Sequence, residues 1–230
     1  MALLDQISLL PNLKVEGIST HFSSADDKDL RITRLQIEKF QTTLSRLKNV
    51  PKVHCANTSA LLRIPESHFN MVRPGLILYG SLPSPSLQEV FVQKGNPFQP
   101  VMQWKSKIIL VKTIAKGQPI SYSGSFTTQQ RTLVATLPIG YADGLHRSLS
   151  NKIDVLIRGQ RAPQIGNICM DMTLIDVTNI KGVEAGDETV LFGEQEGEVI
   201  SVEEMAAKGK TIPYEILCNV GKRVPRVYSN

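Results

Sequence analysis

Apolar positions change their spacing about two fifths of the way along this chain. In the first part, ALLDQISLL (2–10) has helical spacing and KVEGISTHF (14–22) reads as a strand. DKDLRITRLQIEKFQTTLSRLK (27–48) sets Leu30, Ile32, Leu35, Ile37, Phe40, Leu44 and Leu47 broadly on one face of an amphipathic helix. A strand-like KVHCAN (52–57), a short helical TSALLR (58–63) and a third strand-like MVRPGLILYG (71–80) follow. Such alternation predicts parallel strands joined by helical crossovers.

From about Gln99 the pattern becomes β-rich. VMQWKSKIILVKTI, TLVATLPIGYA, KIDVLIRGQRAPQIGNI, DMTLIDVTNI and ETVLFGEQEGEVISVEEMA are separated by Gly and Asn turns, as in an antiparallel barrel or sandwich. SLPSPSLQEVFVQKGNPFQP (81–100) contains the boundary, giving domains at 1–97 and 98–230. Three parallel strands have open edges and cannot close a barrel, so the α/β part is expected to be the end of something longer.

Composition narrows the class. With 41% hydrophobic, 20% charged and 6% aromatic residues, the chain is that of a globular protein. No apolar run approaches the ~18–20 residues that span a bilayer. The N-terminus lacks the basic region of a signal peptide, so a cytoplasmic location is expected and a membrane role is not. Cys55, Cys169 and Cys218 stand singly, which predicts buried thiols rather than a disulfide framework or a metal site. The net charge of +5 is dispersed. Only GKRVPRVY is locally basic, and it lacks interleaved aromatics, so nucleic acid is not an expected partner.

ISYSGSFTT (120–128) leaves two readings open: a polar loop between strands, or a loop that presents the phenol of Tyr122 for chemistry. Eight stretches taken together decide between them. VEGISTHFSSAD, HCANTSALL, FNMVRPGLILYG, SYSGSF, PIGYADG, GNICMDMTLIDVT, GDETVLFGEQ and IPYEILCNVGKRVPRVY resemble the alanine racemase family in order and spacing. The pair PIGYADG and ICMDM is the most specific, and it favours a racemase over a related pyridoxal-phosphate decarboxylase.

The resemblance implies an α/β plus β fold. An incomplete (α/β)8 barrel, its last three strands present, would precede a β-rich C-terminal barrel-like domain. It implies pyridoxal 5'-phosphate as cofactor, alanine as substrate, and interconversion of the L and D forms, supplying D-alanine for peptidoglycan. A homodimer with shared active sites is implied as well. The family's cofactor lysine motif, close to KANAYGHG, has no counterpart here, nor has its earlier carboxylate-supporting arginine. Activity of this chain alone is therefore not expected, and a silent remnant or dimerising module is the alternative.

Racemisation needs proton carriers on both faces of the substrate. By the resemblance Tyr122 is one of them and the lysine is the other. A phenol with its ordinary pKa near ~10 needs neighbours that stabilise its anion. Arg73 would donate to the cofactor's ring nitrogen, with His54 fixing its plane and His21 beside the ring. Thr58, Gly75, Leu76 and Tyr214 would hold the phosphate, and Tyr141 and Met170 would border the substrate, the latter through its backbone amide. Asp26 and Arg147 match the family's entrance channel, where Asn167 replaces the usual arginine. His68 and His146 are expected at the surface without a role.

Overall fold

A computed structural model describes residues 6–7, 9–47, 50–93 and 97–229. It divides into two compact units, Met1–Gln99 and Pro100–Asn230. Among the described residues no helix is long and apolar enough to cross a membrane.

In the first unit, β1 (Gly17–Ser19) and β2 (Lys52–His54) pair in parallel, Ile18 opposite Val53. The ladder runs one bond further, from Thr20 N to His54 O at 3.3 Å. A Cβ on Gly17 would lie 2.8 Å from the Lys52 carbonyl oxygen, so only glycine admits this closeness. Helix α1 (Arg31–Leu44) buries Thr33, Ile37 and Phe40. With Ala25, Cys55, Ala60 and Ile64, the apolar Ile37 and Phe40 form the unit's core. Helix α2 (Thr58–Arg63) starts at Asn57, whose side chain accepts from Ala60 N at 3.1 Å. Helix α3 spans Pro85–Gln93.

Two expectations change here. The third strand does not form: Met71–Gly75 is irregular, and Leu76–Tyr79 is a 3-10 turn. Pro74 has no N–H to give a ladder. The outward N–H of Val53 is taken instead by the Asn70 side chain at 2.7 Å, and Arg73 N reaches Ala56 O at 2.9 Å. Ile32 and Leu35 are exposed, because 100° per residue puts Leu35 opposite the Thr33–Ile37–Phe40 face and Ile32 at its flank. The helix read over 2–10 lies largely outside the described residues; Gln6 and Ile7 are helical.

The second unit is antiparallel. Its strands are β3 (Trp104–Lys107), β4 (Leu110–Ile114), β5 (Pro119–Ile120), β6 (Phe126–Thr127), β7 (Thr132–Leu137), β8 (Asp154–Ile157), β9 (Gln160–Ile165), β10 (Thr173–Asp176), β11 (Glu188–Gln195) and β12 (Glu198–Ile200). The main sheet runs β12-β11-β8-β9-β10-β7-β4, and β3 also pairs with β11. The apolar run 101–114 is therefore two strands. Ile108 N bonds Asp187 O and Ile109 N bonds Thr136 O, so the chain leaves one end of the sheet and joins the other. That corner curls the sheet into a barrel around Trp104, Leu137, Leu156, Ile175, Leu191 and Phe192.

The β5–β6 hairpin folds back over this sheet, with Ile120 packed among Val134 and Ile165. Its tip, residues 121–125, thereby arrives beside the loop joining β9 to β10. Helices α4 (Val202–Gly209) and α5 (Pro213–Asn219) close the unit. Cys55 is buried as expected, but Cys169 is only half-buried and Cys218 is exposed, since α5 turns Pro213 and Ile216 inward and Cys218 away.

Candidate active site

Arg73 organises the first unit's polar cluster. Its Nη1 reaches His54 Nδ1 and the His54 carbonyl oxygen, the latter at 3.2 Å. Its Nη2 donates to Thr20 O at 2.8 Å and contacts His21 Nδ1 at 3.1 Å and Cys55 O at 3.4 Å. A guanidinium only donates, so both imidazole Nδ1 atoms accept and carry no proton in this arrangement. The four Nη hydrogens are thus engaged, while the Nε–H makes no hydrogen bond among the described residues. Strand ends explain the convergence: Thr20 and His21 follow β1, and His54 ends β2. Burial pushes the Cys55 thiol up to about 11 despite the nearby Arg73 charge, and its sulfur donates to Ser67 O. It is an inert thiol.

Thr58 and Gly75 also meet. Gly75 N donates to Thr58 Oγ1 at 2.9 Å, leaving the threonine O–H free to donate elsewhere. A Cβ at Gly75 would stand 3.7 Å from that oxygen, and Leu76 is buried behind it. Asp26 is exposed. His68 is half-buried rather than at the surface, its Nε2 3.0 Å from Leu61 O.

In the second unit Tyr122 is 72% exposed at the hairpin tip. Tyr141 and Met170 lie on two loops zipped together: Tyr141 N donates to Cys169 O and Ala142 N to Met170 O, both at 3.0 Å. Gly140 makes this possible, since a Cβ there would fall 2.2 Å from Cys169 O. The carbonyl of Met170 is engaged, while its N–H makes no hydrogen bond among the described residues. Buried Asp143 accepts from Gly140 N at 3.0 Å and from Arg223 Nε at 3.0 Å. Arg223 also donates to Asp171 at 2.7 Å, and the carboxylates of Asp171 and Asp143 raise its guanidinium above the ordinary value. Tyr214 sits on the first turn of α5, and Arg147 is exposed beside half-buried His146.

Three features here escaped the reading of the sequence. Arg223 and Asp143 meet across 80 residues, and nothing local in GKRVPRVY announces it. Asn167 reaches Tyr122 across 45 residues. The Thr20 carbonyl is a main-chain acceptor, invisible in side-chain patterns.

The chain matches the model of the alanine racemase C-terminal domain over residues 101–228 and that of the alanine racemase N-terminal domain over 1–83. It is 43% identical over 229 residues to alanine racemase 2 of Caldanaerobacter subterraneus subsp. tengcongensis, covering 98% of this chain and 58% of that one. Alanine racemase from Bacillus anthracis with bound L-Ala-P superposes with a TM-score of 0.90 at 34% identity, over 99% of this chain and 58% of the other. Alanine racemase from Bartonella henselae with covalently bound pyridoxal phosphate gives a TM-score of 0.82 at 30% identity, over 94% and 57%. The chain spans less than two thirds of the length of these relatives.

Proposed function

This chain belongs to the alanine racemase family, and on that premise we propose that it forms the C-terminal portion of the active site of a pyridoxal-phosphate-dependent alanine racemase. The observation that carries the reading is the Arg73 cluster. A planar cation held by Thr20, His21, His54 and Cys55 keeps one N–H unspent, as a partner for an aromatic ring nitrogen requires.

The residues present fit the cofactor. Arg73 Nε would donate to the ring nitrogen, and the Thr58 hydroxyl, with the Gly75–Leu76 backbone and Tyr214, would hold the phosphate. The Gly75 N–H would be shared between Thr58 and that phosphate. Bound pyridoxal phosphate supplies electron withdrawal that makes the α-proton of alanine removable. Tyr122 moves that proton on one face, while Tyr141 and the Met170 N–H border the amino acid. Because arginine stays protonated, Arg73 donates its hydrogen bond without giving up the proton. That limits charge withdrawal by the ring and discourages side reactions.

A homodimer with shared sites is part of this reading. A cleft of about 550 Å³, lined by Leu110, Ile114, Ile120, Ser121, Met172 and Leu174, adjoins the Tyr122 hairpin. Ile109, Leu110 and Met172 are about half exposed there, an apolar surface suited to a second copy. The proposed location is the cytoplasm and the proposed product D-alanine for peptidoglycan.

The alternative, a silent dimerising module, draws on the lack of a KANAYGHG-like motif in these 230 residues. Racemisation of alanine by an enzyme containing this chain, measured with pyridoxal phosphate and compared with its Tyr122→Phe and Arg73→Glu variants, separates the two. Arg73→Glu should increase transamination relative to racemisation. Unchanged rates and unchanged side reactions in both variants would sink the proposal.

A further inference from the structure

We infer that Asn167, seconded by Asn151, is a positioning residue that holds Tyr122 in its presented pose; the inference rests on the proton-carrying role proposed for Tyr122. The problem it solves is visible in the hairpin tip. Ser121 (φ 63°) and Ser123 (φ 59°) flank Tyr122 in the left-handed region, which residues other than glycine rarely adopt. Such conformations persist where the surroundings over-determine them. Packing does not do so here, because the Tyr122 ring is 72% exposed and its hydroxyl makes no hydrogen bond among the described residues. The pose of the phenol must be set through the backbone.

Asn167 supplies two bonds to consecutive residues of the tip. Its Nδ2 donates to the Tyr122 carbonyl oxygen at 2.8 Å, and its own carbonyl accepts from Ser121 Oγ at 2.7 Å. The approach is close enough to need Gly166, which has φ 77° and whose Cβ would fall 2.7 Å from Ser121 Cβ.

The strap 164–167 is itself fixed. Gln164, 2% exposed, donates to Ile165 O at 3.0 Å and Gly166 O at 2.8 Å and accepts from Asn151 N at 2.6 Å. Asn151 then uses both ends of its amide. Oδ1 accepts from Gly166 N at 2.6 Å, and Nδ2 donates to Ser125 O at 3.4 Å. One asparagine grips the start of the tip and the other ties its end to the same strap. The side chain of Asn167 is thereby accounted for within the loop, as a donor aimed at the backbone of the residue whose phenol does the work.

Asn167→Asp is nearly isosteric but turns the donor into a charged acceptor, and Asn167→Ala removes the donor without adding charge, so the two together separate this role from filling space. Two readouts are needed. In the 230-residue chain, 15N relaxation should give Tyr122 an order parameter of about 0.85 in the wild type and below about 0.6 in Asn167→Asp. Strands β7 and β10 should be unchanged. In the racemising enzyme that contains this chain, the same variant should lower kcat about tenfold or more with KM nearly constant, as misplacing a reacting group does. A tip that stays rigid in both Asn167→Asp and Asn167→Ala overturns the clamp. A loosened tip with wild-type kcat, in an enzyme that Tyr122→Phe does impair, overturns the positioning role. Full activity in Tyr122→Phe would instead remove the premise about Tyr122, with the relaxation data still deciding whether the clamp exists.

Discussion

In the Met1–Gln99 unit the side chains assigned to chemistry also tie the backbone together, whereas in the Pro100–Asn230 unit the two tasks fall to different residues. Arg73 joins the ends of β1 and β2 through Thr20, His54 and Cys55 carbonyls, and Thr58 accepts from the backbone of Gly75. The second unit rests on an apolar barrel interior that includes Leu156, Ile175 and Leu191, all fully buried. Tyr122, Tyr141, Met170 and Tyr214 stand outside that interior, each at least 40% exposed. Among its described residues the first unit has two three-residue strands, little ladder with which to hold a site. A closed sheet can carry reactive groups on loops that its stability does not depend on.

The strongest test of that contrast is Tyr122→Phe. In the enzyme proposed to contain this chain, removing the phenol oxygen should slow racemisation by about 10²–10⁴, the range for loss of a positioned proton carrier. It should leave thermal stability within about 0.5 kcal/mol, as for an exposed substitution. A marked drop in melting temperature would break the separation between fold and chemistry claimed for this unit.

The converse substitution is Leu156→Ala. It should destabilise the second unit by about 2–5 kcal/mol, the cost of a cavity in a packed interior. The single tryptophan, Trp104, is buried with its ring 5.9 Å from that of Phe192, so its fluorescence in urea reports this unit. A midpoint equal to the wild type would mean that the barrel interior does not carry the stability.

In the first unit the two effects should come together. Arg73→Gln would strip the donor from the Thr20 and Cys55 carbonyls, at about 1–3 kcal/mol for each buried acceptor left unmet, while His54 O keeps the Thr20 N–H. It would also remove the N–H proposed for the cofactor ring. Faster amide exchange at the end of β2 and weaker pyridoxal-phosphate binding should therefore appear in the same variant. Loss of binding with unchanged exchange would show that the first unit, too, keeps the tasks apart.

Much of this was legible beforehand, and the exceptions share a cause. Apolar spacing marked α1 and every long strand of the barrel, and the motifs brought Arg73, His21, His54, Thr58 and Gly75 into one list that the first unit does gather in pairs and clusters. Pro74 was in plain view, and its missing N–H is why 71–80 gives no strand. Ile32 and Leu35 fit an apolar count but not the 3.6-residue period around Ile37. The contacts that could not be read join residues far apart: Asn167 to Tyr122, Asn151 to Ser125, Arg223 to Asp143. Their geometry comes from the folded sheet, and no local pattern encodes it.

The smallest expected effect concerns acid. In the second unit Arg161 joins three elements, donating to Glu198 on β12 and to Glu204 on α4 from its place on β9, while Lys208 bridges Glu204 and Asp154. The hydrogen bond from Arg161, assisted by Lys208, holds the Glu204 carboxyl below its ordinary range against the opposing effect of burial. A carboxyl depressed in the folded state adds stability that is present above its unfolded pKa, about 4.3. That contribution is lost as pH falls through the lower folded value. The first unit offers a control. Asp29 is also depressed, by Arg31, but the partners are two residues apart and exposed, so the pair can form equally in the unfolded chain. Such a shift gives no net dependence of folding on pH. Arg161→Gln should accordingly lower the Trp104-reported stability at pH 7 by about 0.2–1 kcal/mol, the range for partly exposed ion pairs. The gap between variant and wild type should narrow as pH drops below about 4. Arg31→Gln should produce neither change. Parallel curves for wild type and Arg161→Gln from pH 7 down through the acid range would show that Glu204 is not the group responsible, and would leave the two units alike in their response to acid.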